Sequence, residues 1–203
     1  MLLGARIAAC TVCREMPLGV PLPHEPRPVA VLSTSARIAI CGQAPGTRVH
    51  ASGRPFTDPS GDRLRTWMGV RASEFYDASR IAIVPMGFCF PGLDGSGGDL
   101  PPRKECAVTW RAEVFSAMPQ IELVLLIGQY AQRWHLGAAA GRTLTDTVRA
   151  WRTHANGVGD AGKPIYFPMP HPSWRNNAWL KRNPWFEAEI VPALRAAVSA
   201  RLG

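Results

Sequence analysis

The apolar positions of this chain gather in four short unbroken runs, set between longer stretches in which apolar and polar residues alternate at helical spacing. The first run, Ile38-Ala39-Ile40-Cys41, lies between Arg37 and Gly42 and predicts a strand from about Ala36 to Cys41. Ile81 to Val84, Leu123 to Ile127 (ended by Gly128) and Pro164 to Met169 repeat the pattern. Runs this short and apolar at every position suit strands buried on both faces of a parallel sheet. Between them, Asp58-Pro59-Ser60 reads as a helix start, followed by Leu64, Trp67 and Met68 at i, i+3, i+4, a stripe expected to pack in the core. Helices are also predicted from about Leu2 to Met16, Lys104 to Ala117, Ala131 to Leu136, Leu144 to Trp151 and Trp185 to Leu202. Pro192 is expected to kink the last of these. Pro17 to Pro28, Gly92 to Pro102 and Asn156 to Gly162 read as irregular connections.

Strands alternating with helices predict an α/β fold, a doubly wound parallel sheet with helices on both faces. The 203 residues fit one domain, 1–203, with 46% hydrophobic content, ample for a real core. No apolar run approaches a membrane span, and Met1-Leu2-Leu3-Gly4 lacks the features of a signal peptide, so a cytoplasmic location is expected and no membrane partner. The balance of 23 Lys+Arg against 15 Asp+Glu leaves a net charge of +8, carried mostly by scattered arginines. A basic face of this kind suits nucleic acid, although a solubility surplus accounts for it equally well.

Chemistry concentrates at two strand ends. Gly42-Gln43-Ala44-Pro45-Gly46 follows the first strand directly: its glycines allow close backbone approach to a ligand, and Pro45 stiffens the loop. His171-Pro172-Ser173 follows the last strand, and the two loops converge if their strands are neighbours. The crevice beyond the carboxyl ends of parallel strands is the usual ligand site in such sheets. Five cysteines in a cytosolic chain argue against a disulfide framework. Cys10 and Cys13 form a C-x-x-C pair, Cys89 and Cys106 lie far along the chain, and Cys41 is expected to be a buried strand residue.

GQAPG, followed by Gly53-Arg54-Pro55-Phe56 and then by HPS near the C-terminus, resembles the uracil-DNA glycosylase superfamily, closest to its family 4 and family 5 branches. The resemblance runs over nearly the whole chain. It implies a three-layer α/β/α sandwich around four parallel strands, and a DNA repair enzyme that hydrolyses the N-glycosidic bond of uracil or another deaminated base to leave an abasic site. By resemblance, His171 supplies the electrophile that steadies negative charge on the departing base, Phe56 stacks on the flipped base, and Ser173 contacts a DNA phosphate. Gly42, Ala44, Pro45 and Gly46 form the wall of the base pocket. The residues after HPS, Arg175, Lys181 and Arg182 with Trp174 and Trp179, resemble a loop that enters or flanks DNA.

The chain departs from the family in three places. The third loop position is aspartate in the most active branch but Ala44 here, and the glutamate of family 4 is replaced by Gln43. Alanine can neither accept a proton nor hold water, and Gln43 can hydrogen-bond a catalytic water or the base without itself being a base, which leaves Asp58 or His50 to take over, with Asp58 also a candidate helix cap. Where family 4 places an asparagine that pairs with the uracil edge, counting back from Cys89 puts Pro85, which has neither a side-chain amide nor an N–H. Tolerant base choice follows. Cys10, Cys13, Cys89 and Cys106 match in order the ligands of a [4Fe–4S] cluster in families 4 and 5. Four thiolates suit such a cluster or an all-cysteine zinc site, and the 16 residues between Cys89 and Cys106 favour the cluster over zinc or no metal. Three other roles fit the same residues: a DNA-binding module that has lost excision, a cross-linker that traps the sugar, and an iron–sulfur redox protein.

Overall fold

The computed structural model describes residues 2–155 and 164–203. In chain order the elements are α1 (Leu3–Ala8), α2 (Val12–Glu15), β1 (Ile38–Cys41), α3 (Thr47–Ser52), α4 (Pro59–Met68), α5 (Ala72–Phe75), β2 (Ile81–Ile83), α6 (Lys104–Ser116), β3 (Leu123–Ile127), α7 (Gln129–Leu136), α8 (Leu144–Arg149), α9 (Trp151–Ala155), β4 (Ile165–Met169), α10 (Asn177–Arg182) and α11 (Val191–Leu202). The four strands form one parallel sheet in the order β2-β1-β3-β4, with Ile38 level with both Ile81 and Leu123, and Leu123 level with Ile165. The predicted α/β architecture is therefore the observed one.

The pleat sorts each strand's side chains between two cores. Ile38, Ile40, Ile81, Ile83, Leu123, Leu125 and Phe167 point to a face covered by Leu64, Trp67 and Met68 of α4 and by Leu194 and Val198 of α11. Ala39, Cys41, Ala82, Val124 and Leu126 point to the other, under Cys106, Trp110 and Val114 of α6 and Cys13 of α2. Burying both faces is what lets every strand position be apolar.

Two expectations need correction and one is refined. The predicted helix from Leu2 to Met16 is two short helices broken at Cys10, because the chain must turn to bring Cys10 and Cys13 against α6. Pro192 falls inside the helical run predicted from Trp185 to Leu202: Phe186–Ile190 form a wider π-helical turn that passes directly into α11, with Ile190 and Val191 at helical angles. The strands carrying GQAPG and HPS are not neighbours, since β3 lies between them. The turn-rich stretch Asn156 to Gly162 lies outside the described residues.

Candidate active site

A cleft of about 350 Å³ opens at the carboxyl ends of the strands. The loop after β1 contributes Gly42, Gln43, Ala44, Pro45 and Gly46, and the turn after β2 contributes Pro85. His171 and Arg175 enter from beyond β4, and Phe56 and Asp58 from the segment before α4. The two loops thus converge across the width of β3. An adjoining groove gathers Ser173 with Arg48, Arg63 and Trp174. Lys181 and Arg182, at the end of α10, are exposed and line neither.

The loop after β1 is locked by an extension of the strand ladder. The Gly42 carbonyl accepts from the Met86 N–H at 2.9 Å, and the Gln43 carbonyl accepts from the Gly87 N–H at 2.9 Å. The Gln43 side-chain amide is also committed: it donates to the Leu100 carbonyl at 3.1 Å. Behind Pro85 lies Arg111 of α6, 4% exposed. Its guanidinium donates to the carbonyls of Val84 and Pro85, each at 3.0 Å, and to the Met86 sulfur at 2.7 Å. Pro85 therefore faces the cleft with no N–H, no amide and a carbonyl already engaged.

His171 is half-buried, and burial lowers its imidazole pKa while the Asp58 charge opposes that shift. Its Nδ1 lies 3.2 Å from the Ser173 backbone N–H, a donor, so Nδ1 must be the acceptor. That geometry assigns the ring proton to Nε2 and describes a neutral imidazole. Asn176 holds the loop from outside, its side-chain amide donating to the His171 carbonyl at 2.8 Å. Ser173 makes no side-chain cap bond to the helical turn that follows.

Phe56 has φ 56°, an uncommon value for a residue with a side chain. Three groups impose it. Tyr76 Oη donates to its carbonyl at 2.8 Å, Arg65 Nη1 donates at 3.1 Å, and Gly61 presents only hydrogen to that carbonyl. The ring packs edge-on against Phe75 with centroids 5.9 Å apart and lies against Gly42. Asp58 does cap α4: its Oδ1 accepts from Ser60 Oγ at 2.6 Å and from the Gly61 N–H at 3.4 Å. His50 lies outside the cleft lining, tilted against His24 and Phe90. Trp179 is turned inward, bonded to Thr145 and packed on Trp185 and Phe186, so of the two tryptophans only Trp174, at 73% exposure, is available at the rim.

On the opposite side of the sheet, Cys13, Cys89 and Cys106 are buried in one core cluster with Cys10 packed against it. Burial, then the Glu105 charge, pushes Cys13 up to about 11, and burial, with smaller contributions from neighbouring thiols, pushes Cys89 and Cys106 up to about 12. The Trp110 indole donates to Cys10 Sγ at 3.2 Å, and the Phe88 N–H donates to Cys106 Sγ at 3.3 Å. Among the described residues no set of three or more His, Cys, Asp or Glu side chains could hold a metal ion. Cys41 is fully buried in β1.

Sequence reasoning missed Arg111, Asn176 and Asp99, a further cleft residue from the Gly92–Pro102 connection. Their signals were weak: an arginine on a helix and an acid in a glycine-rich loop are ordinarily solvated. Among the described residues no helix is long and apolar enough to cross a membrane. Residues 29–195 match the model of the Uracil DNA glycosylase superfamily, a match that takes in both cleft loops, Phe56 and His171 and supports a glycosylase-type function on DNA; the chain belongs to that superfamily.

Proposed function

We propose that this protein is a monofunctional DNA glycosylase that hydrolyses the N-glycosidic bond of uracil and other deaminated bases, leaving an abasic site. The observation that carries the reading is the Ser173 N–H on His171 Nδ1. It leaves a neutral imidazole with its Nε2–H free for the cleft. Departure of uracil places negative charge on its O2, and a fixed N–H donor lowers that barrier without transferring a proton. Phe56, held at an imposed backbone angle, offers a flat apolar surface on which a flipped base can stack. Ser173 with Arg48 and Arg63 at the adjoining groove suits the phosphates on either side, and Arg175 and Trp174 suit the strand at the rim. Lys181 and Arg182 extend the basic surface beyond the groove.

The wall at Pro85 bears on selectivity. A site built to hydrogen-bond its substrate rejects a mismatch by factors of about ten thousand, whereas shape alone yields about a hundred. With no donor at Pro85 and its carbonyl already holding Arg111, the enzyme accepts uracil, hypoxanthine and xanthine with modest preference.

Cys10, Cys13, Cys89 and Cys106 are proposed to hold a [4Fe–4S] cluster. An all-thiol donor set, three members buried in one core cluster with Cys10 packed against it and two of the sulfurs receiving N–H···S bonds, suits an iron–sulfur cluster. When bound, such a cluster would tie α2 to the segment between Cys89 and Cys106.

The test is excision from uracil-containing oligonucleotides, resolved by alkali and denaturing gel. His171→Ala is expected to slow excision by about a hundred- to a thousand-fold, the loss typical of one oxyanion donor, with DNA retention intact. Excision by His171→Ala at the wild-type rate would remove the leaving-group role. Retention of DNA by the wild type with no base released would favour a binding module instead.

A further inference from the structure

The loop after β1 carries no carboxylate, and Gln43 spends its amide on the Leu100 carbonyl. The acids that line the cleft are Asp58 and Asp99. Asp58 caps α4 through Oδ1. Asp99 is different. It ends a small hairpin, bridged to Leu93, in which Asp94 Oδ1 accepts from the N–H groups of Ser96 and Gly98 at 2.9 and 2.8 Å. The Leu100 N–H closes the hairpin on the Gly92 carbonyl at 3.0 Å. The Asp99 carboxylate overhangs the GQAPG backbone so closely that a Cβ at Gly46 would stand 3.3 Å from Oδ2. Among the described residues no hydrogen bond or ion pair engages it. A rigid loop thus delivers an uncommitted carboxylate over the loop where the acid is missing.

Resting on the glycosylase reading, we infer that Asp99 is the catalytic base of the reaction and that Gln43 is the positioning residue that fixes its hairpin. The bond between C1′ and the base nitrogen breaks with its electron pair going to the base, where His171 Nε2–H steadies the charge. A water oxygen then bonds to C1′ and its proton passes to Asp99. That proton leaves with the departing base anion, so the carboxylate is restored and one water is consumed for each base released. Asp99 is exposed at the cleft rim, where partial desolvation raises its pKa, the Arg175 charge lowers it and Asp94 raises it. Arg48, Asp58 and His171 line the same cleft. A carboxylate displaced upward is the stronger base, and excision should decline as the pH falls through its raised pKa.

Asp99→Asn decides the matter under single-turnover conditions. It is expected to lower excision by about a hundred-fold or more, as for loss of a general base, and to abolish the decline at acid pH. Retention of an oligonucleotide carrying 2′-fluoro-2′-deoxyuridine, whose glycosidic bond resists cleavage, should change less than about three-fold. Asp99→Glu should restore part of the rate. Gln43→Ala should lower the rate about ten-fold while keeping the acid decline, and should add nothing in the Asp99→Asn background. Normal excision by Asp99→Asn, or an acid decline that survives in it, overturns the role of Asp99 and leaves the glycosylase reading standing. A covalent protein–DNA band in the wild type that Asp99→Asn loses would make it a nucleophile, which also overturns the inference. If the wild type excises no deaminated base at all, both readings fall together.

Discussion

Gly61 lies in the first turn of α4 directly against the Phe56 main chain, and a Cβ there would stand 1.9 Å from the Phe56 oxygen and 2.6 Å from its carbonyl carbon. An alanine therefore forces one backbone away from the other. Helix propensity alone would favour Gly61→Ala by up to about 1 kcal/mol. Against that, moving the Phe56 carbonyl gives up a bond from Tyr76 worth about 1 kcal/mol and a charged one from Arg65 worth about 1.5–3 kcal/mol. The net expectation is a loss of about 1.5–3 kcal/mol of stability. Displacing the ring also weakens stacking, worth about 1–3 kcal/mol per base, so KM should rise roughly five- to a hundred-fold. Urea denaturation and steady-state excision on one preparation measure both. Gly4→Ala in α1, where a Cβ meets nothing within 4 Å, is the control and should be neutral or slightly stabilising. A Gly61→Ala protein that is as stable as the wild type and has the same KM would refute the claim that Phe56 is held by this packing.

Other predictions bear on separate parts of the molecule. Burial first, then the Arg111 charge, lowers His135 to about 3. The unfolded chain takes up a proton there below about 6.5, so the native state loses stability from that pH down to about 3, reaching about 2 kcal/mol at pH 5. His135→Leu should lose correspondingly less between pH 7 and 5 in urea titrations, and an unchanged pH dependence would contradict the buried neutral assignment. Pro85→Asn should raise the preference for uracil over hypoxanthine at least about ten-fold in paired kcat/KM measurements; no change would place selectivity elsewhere in the cleft. Protein purified without oxygen should contain iron and acid-labile sulfide, and Cys89→Ser should lose both along with thermal stability. Colourless wild-type protein with zinc or no metal would end the cluster proposal.

The strands were legible because residues buried on both faces leave a plain mark: Leu123 to Ile127 is the observed β3, residue for residue. The stripe of Leu64, Trp67 and Met68 marked α4 for the same reason, and all three lie in the core. Short helices such as α3, α5 and α10 escaped notice, because four to six residues span too few turns to show a period. Within the cleft, loops ending strands could be read as a ligand site, but which side chains reach it could not. Arg111 is placed by the carbonyls of Val84 and Pro85 on another segment, and Asp99 by a hairpin pinned to Gln43; no local pattern encodes a guanidinium turned inward toward carbonyls.

Arg111 acts on the turn after β2 as a tethered, permanent counterpart of a structural metal ion. It is a cation that chelators cannot extract. Its grip near Pro85 is on the main-chain oxygens of Val84 and Pro85, not on any side chain at position 85. The residue there can therefore change without dismantling the turn that presents it. A mutational library at position 85 should accordingly yield mostly folded proteins that differ in the bases they accept, whereas one at position 111 should yield few folded proteins, with lysine failing too because it cannot reproduce the fork. In this architecture the lock on the turn and the dial for specificity are separate parts.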